Sequence, residues 1–288
     1  MTRSGTTIDD RLARFPLLEI GPAHQRISYR TAGKGLPLVM LHGIGGGSGS
    51  WLPQLETLAR RFQVIAWDAP GYGHSSLIAG LTPIAGPTPM ANDFADALDR
   101  LLDALAIEKC LLVGQSMGAL IATAFARARP YRLHGLLLLG PAGGYGGATQ
   151  AKRDEILTGR LNAMATLGPE GMAAQRTGAL LAPDASHETH AIVAASMRQL
   201  RPNGYGDAVR LLVNGQLIND ARHVRSATMV GCGTFDQVTP EAGCRALASA
   251  FSDWQYRAIL GAGHASNVDQ PVRVNHLIRR FADYLGAK

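Results

Sequence analysis

The sequence predicts an α/β fold in which a mostly parallel, doubly wound sheet is interrupted by a helical insertion. Three observations carry that expectation. Short, fully apolar runs such as Cys110-Leu-Leu-Val and Leu136 to Leu139 alternate with amphipathic stretches, the pattern of strands buried on both faces between covering helices. The rhythm stops between Tyr145 and Arg222, where Ala- and Leu-rich helical segments are punctuated by Gly168-Pro169, Ala182-Pro183 and Arg201-Pro202-Asn203-Gly204, and it resumes at Ala227. A serine flanked by glycines, Gly114-Gln115-Ser116-Met117-Gly118, stands where an apolar strand gives way to a helix.

The elements follow in order. Alternation over Arg26-Ile-Ser-Tyr-Arg-Thr, the turn residues Ala32 to Gly35 and the apolar run Leu36 to Leu41 give a hairpin signal leading into a buried strand. Trp51 to Arg61 predicts a helix with Pro53 in its first turn, and Val64-Ile-Ala-Trp67 a strand ending at Asp68. A long loop is expected over Ala79 to Pro89. Residues 92–106 set Phe94, Ala97, Leu98, Leu101, Leu102 and Leu105 on one helical stripe, with Asn92 as its N-cap. Cys110 to Val113 predicts a buried strand, Met117 to Arg129 a helix and Leu136 to Leu139 another strand. Beyond the insertion, strands are expected at Ala227 to Gly231 and Gln255 to Leu260, and a closing helix from Val272 to Leu285. Residues 1–144 and 223–288 therefore form the core, and 145–222 a helical cap lying over the strand ends, where open α/β sheets bind ligands.

Composition excludes several classes. With 288 residues, 46% hydrophobic and 17% charged, the chain buries a sizeable core and is not a disordered polymer. No apolar run approaches the ~20 residues of a membrane-spanning helix, and Asp9 and Asp10 interrupt the stretch a signal peptide would need. No membrane role is expected, and cytoplasm is the expected location. Cys110, Cys232 and Cys244 are odd in number and lack Cys-x-x-Cys spacing, which argues against a disulfide framework or a zinc site and for buried thiols. The net charge of +6 is spread along the chain without a recognition motif, so no nucleic-acid partner is expected.

The Gly-x-Ser-x-Gly turn is the sharpest chemical signal. Glycines allow the tight strand-to-helix turn that lifts a hydroxyl clear of the sheet, and they make Ser116 the candidate nucleophile. Serine needs a base and an orienting acid, in the chain order serine, acid, histidine. His264 follows the last strand and precedes the last helix; the other histidines at 24, 74, 134, 187, 190, 223 and 276 lie on surface-like helices or connecting loops. Asp236 directly follows an earlier strand and is preferred as the acid over Asp253 and Asp269. The developing oxyanion needs two backbone N–H donors. Met117 supplies one, and Ile44 in the glycine loop His42-Gly43-Ile44-Gly45-Gly46-Gly47 the other. That loop lacks the Gly-Lys-Ser/Thr ending of a phosphate cradle. His42 is expected to order it, and His42, Gly43 and Gln115 to border the substrate.

Together His42-Gly43, Asp68-Ala-Pro-Gly-Tyr-Gly-His-Ser, Gly114-Gln-Ser-Met-Gly, Asp236 and Gly263-His264 resemble the α/β-hydrolase superfamily over nearly the whole chain. Gly263-His-Ala-Ser-Asn-Val-Asp-Gln-Pro and Pro202-Asn-Gly-Tyr are similar to 3-oxoadipate enol-lactonase-type hydrolases. The glycine loop His42 to Trp51 resembles the meta-cleavage-product carbon–carbon hydrolases, from which the chain departs at Gln115, where those enzymes usually carry Asn, and at Ala265, where they usually carry Trp. Serine rather than aspartate at 116 sets it apart from haloalkane dehalogenases and the related epoxide hydrolases. The resemblance implies an α/β-hydrolase fold with a helical cap and a Ser-His-Asp hydrolase of a small carboxylic ester or lactone, without cofactor or metal. Carbon–carbon cleavage of a dienoate, or ligand reception without turnover, are the alternatives. If the likeness to enol-lactonases extends to an anionic substrate, at least one of Arg153, Arg160, Arg176, Arg198, Arg201 and Arg210 should face the pocket. The oligomeric state is left open.

Overall fold

Leu38 to Leu41, Cys110 to Val113 and Leu136 to Leu139 have no solvent-exposed position, because each strand is covered on both faces. A computed structural model describes residues 7–78 and 88–287; the loop expected at Ala79 to Pro89 lies, over 79–87, outside the described residues. The strands are β1 (Leu18–Ile20), β2 (Ile27–Ala32), β3 (Leu36–Leu41), β4 (Phe62–Trp67), β5 (Cys110–Gln115), β6 (Leu133–Leu139), β7 (Thr228–Gly233) and β8 (Trp254–Ile259). Among the described residues they form one sheet in the order β1-β2-β4-β3-β5-β6-β7-β8, parallel from β4 through β8, with β1 and β2 antiparallel to their neighbours.

The helices are α1 (Ile8–Ala13), α2 (Leu52–Leu58), α3 (Ala91–Ala104), α4 (Met117–Ala128), α5 (Gln150–Arg176), α6 (His187–Arg198), α7 (Pro202–Asn214), α8 (Leu217–Ala221), α9 (Glu241–Ala248), α10 (Ser266–Asp269) and α11 (Pro271–Tyr284). Side chains alternate across each strand, so Val39, Leu41, Cys110, Leu112, Leu136 and Leu138 join the core that includes residues of α3, α4 and α9. Leu38, Met40, Leu111, Val113, Leu137 and Leu139 pack with residues of α2 and α11 on the other face. Continuous apolar runs are the sequence trace of this double burial. Cys110, Cys232 and Cys244 are buried free thiols.

Three local expectations are corrected. β2 and β3 do not pair as a hairpin, because β4 lies between them, with Tyr29 opposite Trp67 and Leu38 opposite Val64. β4 is buried on both faces and needs a partner at each edge, so the Ala32 to Gly35 turn becomes a bridge passing over the carbonyls of Ala59 and Phe62. The N-cap of α3 is Met90, whose N–H donates to the Asp93 carboxylate at 2.7 Å, while Asn92 accepts from Arg127. His134 lies in strand β6 rather than on a helix or loop.

Between β6 and β7 the chain forms α5 to α8 and no strand. α5 is broken at Gly168 (φ 59°, ψ −179°), since a residue before proline is driven out of the helical region. α5 packs on α6 and α7. The N-terminus of α7 rests on the turn after β4, where Gly204 and Gly71 touch backbone to backbone; a Cβ on Gly204 would lie 2.0 Å from the Gly71 carbonyl oxygen. Arg201 fastens the same joint by donating to the carbonyls of Gly73 and Ser75.

Candidate active site

The turns after β3, β5, β7 and β8 converge at the carboxyl end of the sheet. Ser116 occupies the turn from β5 into α4 at φ 53°, ψ −114°, a conformation that costs a non-glycine residue energy and persists only where its surroundings hold it. Its N–H donates to Leu139 O at 3.0 Å, and its carbonyl accepts from Ala119 and Ala142. Gly114 and Gly118 make the turn sterically feasible. A Cβ on Gly114 would stand 2.6 Å from Gly118 O, and one on Gly118 2.3 Å from Leu41 O. Positions 114 and 118, two residues to either side of the serine, are thus glycine because β3, β5 and α4 meet there backbone to backbone.

Ser116, His264 and Asp236 form one hydrogen-bonded chain. Ser116 Oγ lies 2.9 Å from His264 Nε2, and His264 Nδ1 lies 2.9 Å from Asp236 Oδ2. All three are buried. Asp236 also accepts from the N–H groups of Val238 and Thr239, at 2.9 and 2.8 Å, and from the Thr239 hydroxyl at 2.8 Å. Burial alone would raise its pKa, but the hydrogen bond and charge of His264, with the donors of Thr239, outweigh burial and hold the carboxyl below its ordinary value. An ionised carboxylate only accepts, so the imidazole proton sits on Nδ1 and Nε2 is free to accept from the serine hydroxyl. The loop carrying His264 is tied down in turn: Gln115 Nε2 donates to His264 O, Ala265 N–H to Leu180 O, and Asp269 accepts from Gly263 and Ala182 N–H at 2.6 and 2.8 Å.

The glycine loop after β3 runs alongside. Ile44 stands at the cavity wall, and its carbonyl accepts from the Tyr72 hydroxyl at 2.9 Å. Met117 is the first residue of α4, where the initial N–H groups of a helix have no intrahelical acceptor. Of the three positions expected to border substrate, Gly43 and Gln115 line the cavity. His42 does not: its ring lies behind the loop, with Nδ1 2.8 Å from Gly43 O and Nε2 accepting from Ala69 N–H at 3.0 Å. Burial lowers its pKa, which keeps the ring in the neutral form this pair of contacts requires.

A cavity of about 540 Å³ opens over Ser116, bordered by the loops of the sheet and by residues of the inserted helices, including Arg160, Met172, Val193 and Tyr205. This falls in the usual range for a small-molecule pocket. Of the six inserted arginines, Arg160 and Arg176 reach it. Thr239, Tyr72 and Tyr205 were not singled out as site residues; Tyr72 meets Ile44 and Tyr205 meets the cavity only through folding, whereas Thr239 contacts Asp236 three residues before it. Among the described residues no group of three or more His, Cys, Asp or Glu is arranged to hold a metal ion, and no helix is long and apolar enough to cross a membrane.

A family model described as the alpha/beta hydrolase fold matches residues 37–271. A curated relative from Dechloromonas aromatica, a 2-hydroxy-6-oxononadienedioate/2-hydroxy-6-oxononatrienedioate hydrolase, is 34% identical over 154 residues, covering 52% of this chain and 50% of its own length. The chain thus spans about half the length of such curated relatives. Among solved structures, a thermophilic esterase from Thermogutta terrifontis superposes with a TM-score of 0.81 at 25% identity, over 94% of this chain and 99% of that one. The enol-lactonase from Burkholderia xenovorans LB400 gives 0.76 at 24% identity, over 91% and 96%.

Proposed function

Because the chain belongs to the alpha/beta hydrolase fold family, we propose that it is a serine hydrolase cleaving a carboxylic ester or lactone through an acyl-enzyme. The observation that carries this reading is the continuous chain Ser116–His264–Asp236, with 2.9 Å at each link, opening into a cavity. His264 Nε2 removes the hydroxyl proton as Ser116 Oγ attacks the carbonyl carbon. The N–H groups of Ile44 and Met117 receive the oxyanion, and Asp236 stabilises the imidazolium without taking its proton. His264 then protonates the departing alkoxide. A water activated by the same histidine releases the acid and restores the serine. Residues 145–222 act in this reading as the cap that shapes the pocket, and these steps call on side chains, backbone N–H groups and water.

Ser116→Ala is the direct test. Turnover of a p-nitrophenyl ester should fall by about six orders of magnitude, and labelling by a serine-directed phosphonate should disappear. A variant that keeps a few per cent of wild-type turnover, or is still labelled, removes Ser116 from the nucleophile role.

A second reading has one observation in its favour, the likeness to a dienedioate hydrolase over half the chain. Carbon–carbon cleavage could use the same three residues but must first protonate a carbon of the dienol acid. An ester or lactone already presents an electrophilic carbonyl, and the Asn and Trp landmarks of the carbon–carbon enzymes stand here as Gln115 and Ala265. Measured side by side, an activated ester or enol-lactone should be hydrolysed with the higher kcat/KM. Faster bleaching of a ring-cleavage dienoate would replace the first reading with the second.

A further inference from the structure

We propose that Arg201 positions the glycine loop that carries Ile44, acting from the inserted helices through the turn that follows β4. The inference rests on the serine hydrolase reading, in which Ile44 supplies an oxyanion donor, and adds to it a residue of the insertion. Arg201 is the N-cap of α7 and does not line the cavity, so its part is to position rather than to react. The turn grips the glycine loop at three points. Ala69 N–H donates to His42 Nε2 at 3.0 Å, the Tyr72 hydroxyl to Ile44 O at 2.9 Å, and Ser48 N–H to Asp68 Oδ1 at 2.6 Å. Ser75 stands behind that grip: its hydroxyl donates to Asp68 O at 2.7 Å and its N–H to Tyr72 O at 2.8 Å. Arg201 Nη1 in turn donates to Ser75 O at 2.9 Å and to Gly73 O at 3.1 Å. A continuous hydrogen-bonded connection therefore runs from the insertion through Ser75 and Tyr72 to the Ile44 carbonyl.

The two ends of this connection differ in stiffness. Residues 42–47 of the glycine loop lie in neither helix nor strand, and four of the six are glycine. Such a segment has little conformational preference of its own, so its shape is imposed by what grips it. The turn has no comparable slack. Gly73 sits at φ 48° with Asp68 Oδ2 2.3 Å from where a Cβ would stand, and a Cβ on Gly71 would lie 2.5 Å from Gly204 Cα of α7. Close-packed groups pass a displacement on to their neighbours rather than absorb it. α7 also borders the cavity through Tyr205 and Leu212, so one helix both faces the substrate space and holds the turn. Loosening Arg201 frees Ser75, and with it the Tyr72 hydroxyl that holds Ile44. An oxyanion donor out of line weakens the transition state, where charge reaches the carbonyl oxygen, more than it weakens substrate binding.

The test is a double-mutant cycle read on a p-nitrophenyl ester, with thermal melting to show that each variant is folded. Arg201→Gln should lower kcat by about 3- to 10-fold, a fraction of the loss on deleting an oxyanion donor, and leave KM within about twofold. Arg201→Lys keeps a donor for Ser75 O, so it should recover at least half of that loss and gives a second, milder route into the same cycle. Arg198→Gln removes an equal charge from the insertion, where Arg198 pairs with the exposed Glu170, and should leave kcat unchanged. The deciding measurement is Arg201→Gln in a Tyr72→Phe background. If Arg201 acts through Tyr72, its effect is already spent there and kcat should change by less than about twofold, whereas independent sites would multiply their losses. An undiminished loss in that background, a rise in KM in place of the fall in kcat, or wild-type kcat in Arg201→Gln overturns the positioning role and leaves the serine hydrolase standing. Wild type that hydrolyses no ester overturns both.

Discussion

Gly118→Ala tests whether the position of the serine depends on backbone contact rather than on the serine itself. An added Cβ would stand 2.3 Å from Leu41 O, 2.8 Å from Leu41 C and 2.9 Å from His42 O. All three are backbone atoms of β3 and the glycine loop after it, so no rotamer change relieves the contact. Moving the methyl out to 3.0 Å, a separation real Cβ atoms essentially never undercut, takes about 0.7 Å of displacement at the first turn of α4. That turn carries Ser116 and the Met117 N–H, and a misplacement of about 1 Å costs on the order of 10²-fold in rate. We expect kcat on a p-nitrophenyl ester to fall roughly 10- to 100-fold, equivalent to about 1.4 to 2.7 kcal/mol of activation free energy. Overpacking should also destabilise the fold by ~1 to 3 kcal/mol. Gly159→Ala is the internal comparison. Its Cβ would meet nothing within 4 Å on the exposed face of α5, so it should leave kcat unchanged and add about 0.5 to 1 kcal/mol of helix stability. A Gly118→Ala enzyme with kcat within twofold of wild type and an unchanged Tm would refute the reasoning.

Asp236→Asn should lower kcat about 10⁴-fold, because an amide favours the wrong imidazole tautomer while leaving the geometry intact; if Asp269→Asn proves more damaging, the acid has been misassigned. Tyr72→Phe removes the hydroxyl that holds the Ile44 carbonyl, so kcat should drop about tenfold, a fraction of the loss on deleting an oxyanion donor, with KM within twofold; an unchanged kcat would separate Tyr72 from the loop's function. The Asp236 carboxyl is lowered in the folded chain, so its stabilising contribution is complete above the unfolded value of about 3.9 and is lost as pH falls through the folded one. Wild-type Tm should therefore fall more steeply than that of Asp236→Asn on acidification below about pH 4, and parallel curves would contradict the linkage.

The α/β alternation was legible because double burial forces strands such as Leu136 to Leu139 to be apolar at every position. Ser116, Asp236 and His264 could be singled out because Ser116 directly follows β5 while Asp236 and His264 stand three and five residues beyond the ends of β7 and β8, and strand ends of a parallel sheet collect at one side. Strand order was not. Nothing local distinguishes a turn joining paired strands from one bridging over a third, so Ala32 to Gly35 suggested a hairpin. His42 was expected to border substrate because it opens the glycine loop after β3, but its side chain turns to Ala69, 27 residues further on. Thr239 and Tyr72 act through partners remote in sequence or through a hydroxyl that many turn residues possess, and no spacing rule singles them out.

The hydrogen bonds from Ala265 to Leu180 and from Ala182 to Asp269 bear on how such enzymes can be recombined. If the insertion is the cap proposed above, exchanging its helices for those of a relative is the direct way to test its part in substrate choice, with crossovers at its ends. In this chain the strip Leu180–Ala182 is also the floor on which the histidine loop rests; a Cβ on Gly263 would already lie 2.5 Å from the Leu181 carbonyl carbon. A transplanted insertion therefore brings a foreign floor under His264. Chimeras that carry residues 261–270 together with the insertion keep that interface intact, whereas those that cross over only at the ends of the insertion seat His264 on a foreign surface.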